Sequence, residues 1–339
     1  MANLIRNLCI ALLLLSCSNE NTEFVSYTNP EITLNIPIDF PELNNSVRTN
    51  PPTKYGVELG EKLFFEKKLS ANNTISCSSC HIQANAFADH HAKSIGIEGR
   101  IGLRNAPPIQ NLAFMQVYNW DGNKRQLENQ PLVPIITHEE MDSSILEVIN
   151  KLEKDESYID LFNKAFNGEG ITAGGIYNSM AQYEYTLISA NSKYDKVKRN
   201  EGESFTQEEA QGYQIFQDKC ISCHSTELFT DQSFRNIGFP LNPDNEEAGR
   251  ARVTGLVEDY MSFRVPTLRN IEFTAPYGSF GQFATLKEVL DYFDYGVLDS
   301  DNLDPFLKEN DNKITLTETE KAHLISFMKT LSDTEFVDK

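Results

Sequence analysis

Apolar positions recur at helical spacing in two stretches that resemble one another. Tyr55, Leu59, Leu63 and Phe64 fall on one face of a helix. Within that stretch Gly60-Glu61-Lys62-Leu63-Phe64 is echoed by Gly212-Tyr213-Gln214-Ile215-Phe216, a weak internal repeat. Each half then predicts a further amphipathic helix. Ile176, Met180, Tyr183 and Leu187 form one stripe, and Leu324, Phe327, Met328 and Leu331 the other. Thr206 with Glu209 and Thr317 with Glu320 have capping-box spacing, so helices should open there. Alternation typical of strands is scarce, limited to Glu31 to Ile36 and the glycine-punctuated stretch Gly96 to Arg104. The fold class is therefore mainly α with little β. Two tandem units, 51–200 and 201–339, are expected to meet in the polar run Lys196 to Ser204.

The amino end is patterned differently. Arg6 precedes the apolar run Leu8 to Leu15, which is too short to cross a bilayer and suits an export signal. The run closes on Leu14-Leu15-Ser16-Cys17, which resembles a bacterial lipoprotein signal. Residues 1–16 would then be removed and Cys17 lipidated; an ordinary signal peptide cleaved nearby is the alternative. The polar stretch Ser18 to Thr22, followed by Pro30, Pro37, Pro41, Pro51 and Pro52, reads as a stalk over 17–50. These features imply an exported, periplasmic or cell-envelope protein held to the membrane only by lipid.

Composition narrows the choice. The 339 residues are 40% hydrophobic, enough to bury a core. Their 49 acidic and 30 basic side chains give a net charge of −19, which repels polyanions and argues against nucleic-acid binding. Of six cysteines, Cys9 would go with the signal and Cys17 would carry lipid, so four remain. They occur as Cys77-Ser78-Ser79-Cys80-His81 and Cys220-Ile221-Ser222-Cys223-His224, both C-x-x-C-H, the attachment signature of c-type haem. Two thiols add across the haem vinyl groups while the adjoining imidazole ligates iron, so residue order matters. Chance would supply only ~0.002 such motifs in a chain of this composition. Paired disulfides would not explain the histidine that follows each pair. Zinc would need ligands converging from both motifs, and a redox C-x-x-C needs neither a second copy nor a histidine. Two tandem cytochrome c-like haem domains with long loops, carrying two covalent haems, are expected.

From about Tyr55 onward the chain resembles the bacterial di-haem cytochrome c peroxidases and their tryptophylquinone-forming relatives. Beyond the haem motifs, the likeness is carried by Arg104-Asn105-Ala106-Pro107, Asn119-Trp120-Asp121-Gly122, Pro134-Ile135 with Glu140-Met141, and Val265-Pro266-Thr267-Leu268-Arg269-Asn270 running into Thr274-Ala275-Pro276-Tyr277. The resemblance implies that the N-terminal haem, with His81 as proximal ligand, reduces hydrogen peroxide, and that the C-terminal haem, ligated by His224, receives electrons. It places Gln130 and Glu140 on the peroxide side. A glutamate there can take a proton from one peroxide oxygen and return it to the departing one, making Glu140 the expected general acid–base. Read without the resemblance, Glu139 and Glu140 would be ordinary solvated residues. Trp120, the sole tryptophan, would lie between the haems and assist electron passage; ordinary core packing is the plainer alternative. Asn105, Thr274 and Pro276 match the family's calcium site. A small cytochrome c or cupredoxin would be the electron donor, and a homodimer is a further expectation.

Two departures from the family stand out. At the position where relatives carry a methionine or tyrosine as second ligand of the C-terminal haem, this chain has Phe293, which cannot ligate iron. Tyr292, Tyr295 or Met261 could substitute, or that face could lack a protein ligand. Many relatives also carry a loop histidine that caps the N-terminal iron, where this chain has Ile97, so an iron open in the oxidised state is expected. His90 and His91 lie nearby and read as a surface pair, as do His138 and His323. An oxidase of the quinone-forming type and a non-catalytic electron carrier remain as alternatives.

Overall fold

The computed structural model describes residues 27–240 and 247–338. The signal, Cys17 and the first part of the expected stalk lie outside the described residues. The chain is mainly helical. In the first half, α1 (Asn45–Thr49) and α2 (Lys54–Phe64) precede the loop carrying the first haem motif. There follow α3 (Leu132–Ile136), α4 (Ile145–Leu152), α5 (Glu156–Ala165) and α6 (Ala173–Tyr185). After α7 (Lys193–Lys198), α8 (Gln207–Lys219) leads directly into the second motif. The chain then forms α9 (Ala251–Thr254), α10 (Leu286–Asp291), α11 (Pro305–Glu309), α12 (Glu318–Lys329) and α13 (Thr334–Val337). The one sheet among the described residues is two short antiparallel strands, β1 (Phe234–Arg235) and β2 (Phe263–Arg264), with Phe234 opposite Arg264. Glu31 to Ile36 and Gly96 to Arg104 form no strand; Glu31 makes a single bridge to Thr53, and Ile101 one to Ile95.

The internal repeat has a packing cause. α2 crosses α6 and α8 crosses α12, each through its glycine. A Cβ added at Gly60 would lie 1.9 Å from the Ser179 carbonyl oxygen, and one at Gly212 2.0 Å from that of His323. The backbones touch where any side chain would intervene. The two cores grow around these crossings, with Leu59, Leu63, Ile176 and Met180 in one and Phe216, Leu324 and Phe327 in the other. Both predicted capping boxes form, Thr206 with Glu209 and Thr317 with Glu320. We expect Gly60→Ala and Gly212→Ala each to destabilise the holoprotein by about 1–3 kcal/mol, measured by urea denaturation, because a backbone neighbour cannot rotate away.

Two expectations about boundaries need correction. The stalk does not extend to residue 50: Phe40, Asn44, Ser46 and Val47 are buried, and Phe40 packs edge-on against Phe114 at 5.3 Å. The Asn44 amide caps α1 and donates to the Tyr118 hydroxyl, tying this segment to the body. The polar run near 200 likewise overlaps a structured element, since Tyr194 of α7 already belongs to the second core. Proline content and polarity mark exposure along a segment but miss the isolated aromatic that anchors it.

Candidate haem sites

Both C-x-x-C-H motifs adopt the same tight turn. The His81 amide donates to the Cys77 carbonyl at 2.9 Å, and that of His224 to Cys220 at 3.0 Å. Each imidazole is then fixed from behind, His81 Nδ1 on the Phe87 carbonyl at 2.9 Å and His224 Nδ1 on the Phe229 carbonyl at 3.0 Å. Both phenylalanines have left-handed backbone, φ 59° and 54°, which turns their carbonyls inward. With Nδ1–H donated, Nε2 keeps its lone pair for iron. Burial lowers the pKa of both imidazoles, so they are neutral and ready to ligate. The four cysteines form no disulfide, which leaves both pairs available for haem attachment. The cysteines of the two motifs do not converge on one point among the described residues, which removes the zinc alternative.

The second motif opens on a largely apolar cavity lined by Cys220, Cys223, His224, Trp120, Phe293 and Arg264. Arg264 is the strongest sign that this cavity receives an anionic group. It is buried, its Nε donates to the Asn119 carbonyl at 3.2 Å, and no carboxylate pairs with it among the described residues. Burial pulls its pKa down to about 10. Haem propionates are carboxylates of the sort such a guanidinium would hold. The thiol pair, the oriented imidazole, the apolar walls and the unpaired arginine together fit haem.

At the first motif, Gln130 sits half-buried just before α3 and Glu140 just beyond that helix, with no hydrogen bond joining them. Glu140 is clamped through its backbone. Its carbonyl accepts from the Ile97 amide at 2.8 Å, and Gly96 passes so close that a Cβ there would lie 2.5 Å from the same oxygen. Burial, with the neighbouring Glu139 adding to it, raises the Glu140 pKa above the ordinary glutamate value. Its charge adds to the rise in the pKa of both Cys77 and Cys80. Ile97 is itself buried and carries no ligating atom. The His90 and His91 rings lie 3.9 Å apart, tilted by 40°, and His91 Nδ1 bonds Asp89 Oδ1 at 3.0 Å.

Trp120 is buried, and its indole N–H donates to the Asn105 carbonyl at 2.9 Å while its own carbonyl accepts from Arg264. Asn105, Thr274 and Pro276 line the same cavity, together with Ser279, whose buried hydroxyl has no partner. Sequence reasoning passed over Arg264, Gly96 and Glu184. Glu184 is buried near Cys77, and burial together with Glu128 pushes its pKa up to about 8. Only a charged residue within an otherwise buried helical run could have drawn attention to it.

A family model described as di-haem cytochrome c peroxidase matches residues 54–203. The cytochrome c551 peroxidase of Nitrosomonas europaea is 36% identical over 238 residues, 69% of this chain and 71% of its own length. The methylamine utilization protein MauG of Methylorubrum extorquens is 31% identical over 86% of this chain and 82% of its own. Among solved structures, a MauG-like protein associated with microbial copper homeostasis superposes with a TM-score of 0.83 at 30% identity, covering 90% of this chain and 97% of that one.

Proposed function

The chain belongs to the di-haem cytochrome c peroxidase family, and on that footing we propose that it reduces hydrogen peroxide to two waters, using two protons and two electrons from a small cytochrome c or cupredoxin. Membership makes it an oxidoreductase with two c-type haems. Bound at Cys77/Cys80 and Cys220/Cys223, they supply iron redox chemistry and a place for peroxide to bind. The residues around them do the rest. His81 and His224 would offer Nε2 to iron, each imidazole steadied by its phenylalanine carbonyl. Glu140 takes a proton from one peroxide oxygen and delivers it to the other, so that the leaving group departs as water. Gln130 offers an amide to orient peroxide. Trp120, held on the Asn105 carbonyl beside the second cavity, assists electron passage from the second haem to the first. Asn105, Thr274 and Pro276 would hold calcium through oxygen atoms, and the unpartnered Ser279 hydroxyl supports an occupant there. Export with lipid on Cys17 completes the reading.

The observation that carries this proposal is Glu140, half-buried and clamped through its backbone by Gly96 and Ile97, with its carboxyl pKa raised above the ordinary glutamate value. Steady-state oxidation of a reduced small cytochrome c by peroxide tests it, with two cytochromes consumed per peroxide expected. Peroxide consumption without cytochrome oxidation would favour a second reading, oxidation of a protein side chain or small molecule. That reading draws support from the MauG proteins, which match 84–86% of the chain.

A further inference from the structure

The cavity beside His224 lies between two distinct clusters of side chains. One contains Phe229, which holds His224 by its carbonyl, together with Phe216, Leu324 and Met328. The other is aromatic: Phe239, Phe263, Phe283 and Phe293 pack with Trp120. All of these except Phe229 line the cavity. The cavity that His224 lines is walled partly by the histidine's own cluster and partly by aromatic side chains. We propose that this second haem has no protein ligand on its aromatic side and is a second binding site for small neutral diatomic ligands such as carbon monoxide and nitric oxide.

Each side chain that could fill that position is committed elsewhere. From the segment Tyr292–Gly296, a π-helical turn after α10, only Phe293 lines the cavity. The Tyr292 hydroxyl donates to the Ile237 carbonyl at 2.7 Å. Tyr295 is 74% exposed, with the Lys321 ammonium 5.4 Å from its ring. Met261 is buried in the aromatic cluster but does not line the cavity. Among lining residues, the Tyr277 hydroxyl donates to Ile271 at 2.9 Å and the Lys219 ammonium to Glu320 at 2.6 Å. Met328 packs with Phe216 and Leu324 in the cluster of Phe229, whose carbonyl fixes His224, and is not part of the aromatic wall. The extra residue of the π turn explains why a phenylalanine, flanked by tyrosines, is the one facing inward. Apolar walls suit uncharged ligands. The Trp120 indole N–H is spent on the Asn105 carbonyl and is not free to donate to a bound ligand.

This inference rests on the two-haem reading, and the test separates the two. Haem is first counted per chain in the purified holoprotein, which is then reduced with dithionite under anaerobic conditions and titrated with carbon monoxide. Two haems and two equivalents of carbon monoxide are expected, one equivalent being lost in Phe293→Met as the thioether takes the open position. The ferric wild type should show only high-spin iron by electron paramagnetic resonance, a readout that stands if Phe293→Met fails to fold. Two haems with only one equivalent of carbon monoxide bound by the wild type would overturn the inference alone. A low-spin ferric haem in the wild type that disappears in Met328→Leu would overturn it by identifying the ligand. A single haem per chain would remove the two-haem reading and this inference with it.

Discussion

Replacing Glu140 by glutamine should lower kcat/KM for hydrogen peroxide by about 10²–10⁴-fold while leaving the haem content unchanged. Glutamine keeps the shape of the side chain and loses only its capacity to carry a proton between oxygens. Burial, with Glu139 beside it, places the Glu140 pKa above the ordinary glutamate value. To accept a proton from peroxide the carboxyl must be ionised. Activity should therefore rise with pH through this elevated pKa and level off above it, and the limb should vanish in Glu140→Gln. Stopped-flow measurement of peroxide reaction across pH checks both statements. A variant that turns over at the wild-type rate with the same profile would remove Glu140 from the chemistry.

The second large effect is on stability. Arg269 and Asp195 are both fully buried and form a two-pronged ion pair, at 2.8 Å and 2.9 Å. Burial would push the Asp195 carboxyl up, but the Arg269 guanidinium and the Ser192 hydroxyl more than offset it and hold it below the usual range. The same guanidinium donates to the Glu227 carbonyl and stacks on Phe40 at 4.6 Å. Arg269→Met should cost about 3–5 kcal/mol, because it leaves a carboxylate stranded away from water. Replacing both partners by apolar residues should cost much less than the two single changes together. Urea midpoints of the holoprotein variants would decide, and an Arg269→Met loss below about 1 kcal/mol would show that the pair is not what holds this junction.

These pairs also explain which parts of the molecule the sequence made legible. The haem turns were readable because a C-x-x-C-H motif is local, and the same five residues that attach the cofactor also fold the turn. The internal repeat was readable because Gly60 and Gly212 each stand four residues before a phenylalanine, but that each glycine marks a helix crossing was not. Residues quoted only as family motifs turn out to join distant segments. Arg104 reaches Glu247 with two bonds of 2.8 Å and Asp121 with one of 2.9 Å. Gln110 and Asn270 bond across 160 positions, and Asp333 draws in the amides of Ala190 and Asn191. No periodicity encodes such partners, since each depends on how the two halves dock. The same limit hid Arg264, whose meaning lies in having no carboxylate beside it, and the π turn that selects Phe293 over its tyrosine neighbours. It also hid the end of the stalk, fixed by single side chains such as Phe40 and Asn44 rather than by composition.

Both haem sites require porphyrin joined covalently to the chain. The most direct measurement is the intact mass of the matured protein under denaturing conditions, with Cys77→Ala/Cys80→Ala and Cys220→Ala/Cys223→Ala variants alongside. Two haem masses should stay with the wild-type polypeptide and one with each variant. A polypeptide that sheds all its haem on denaturation, or never carries more than one, would contradict covalent attachment at both sites.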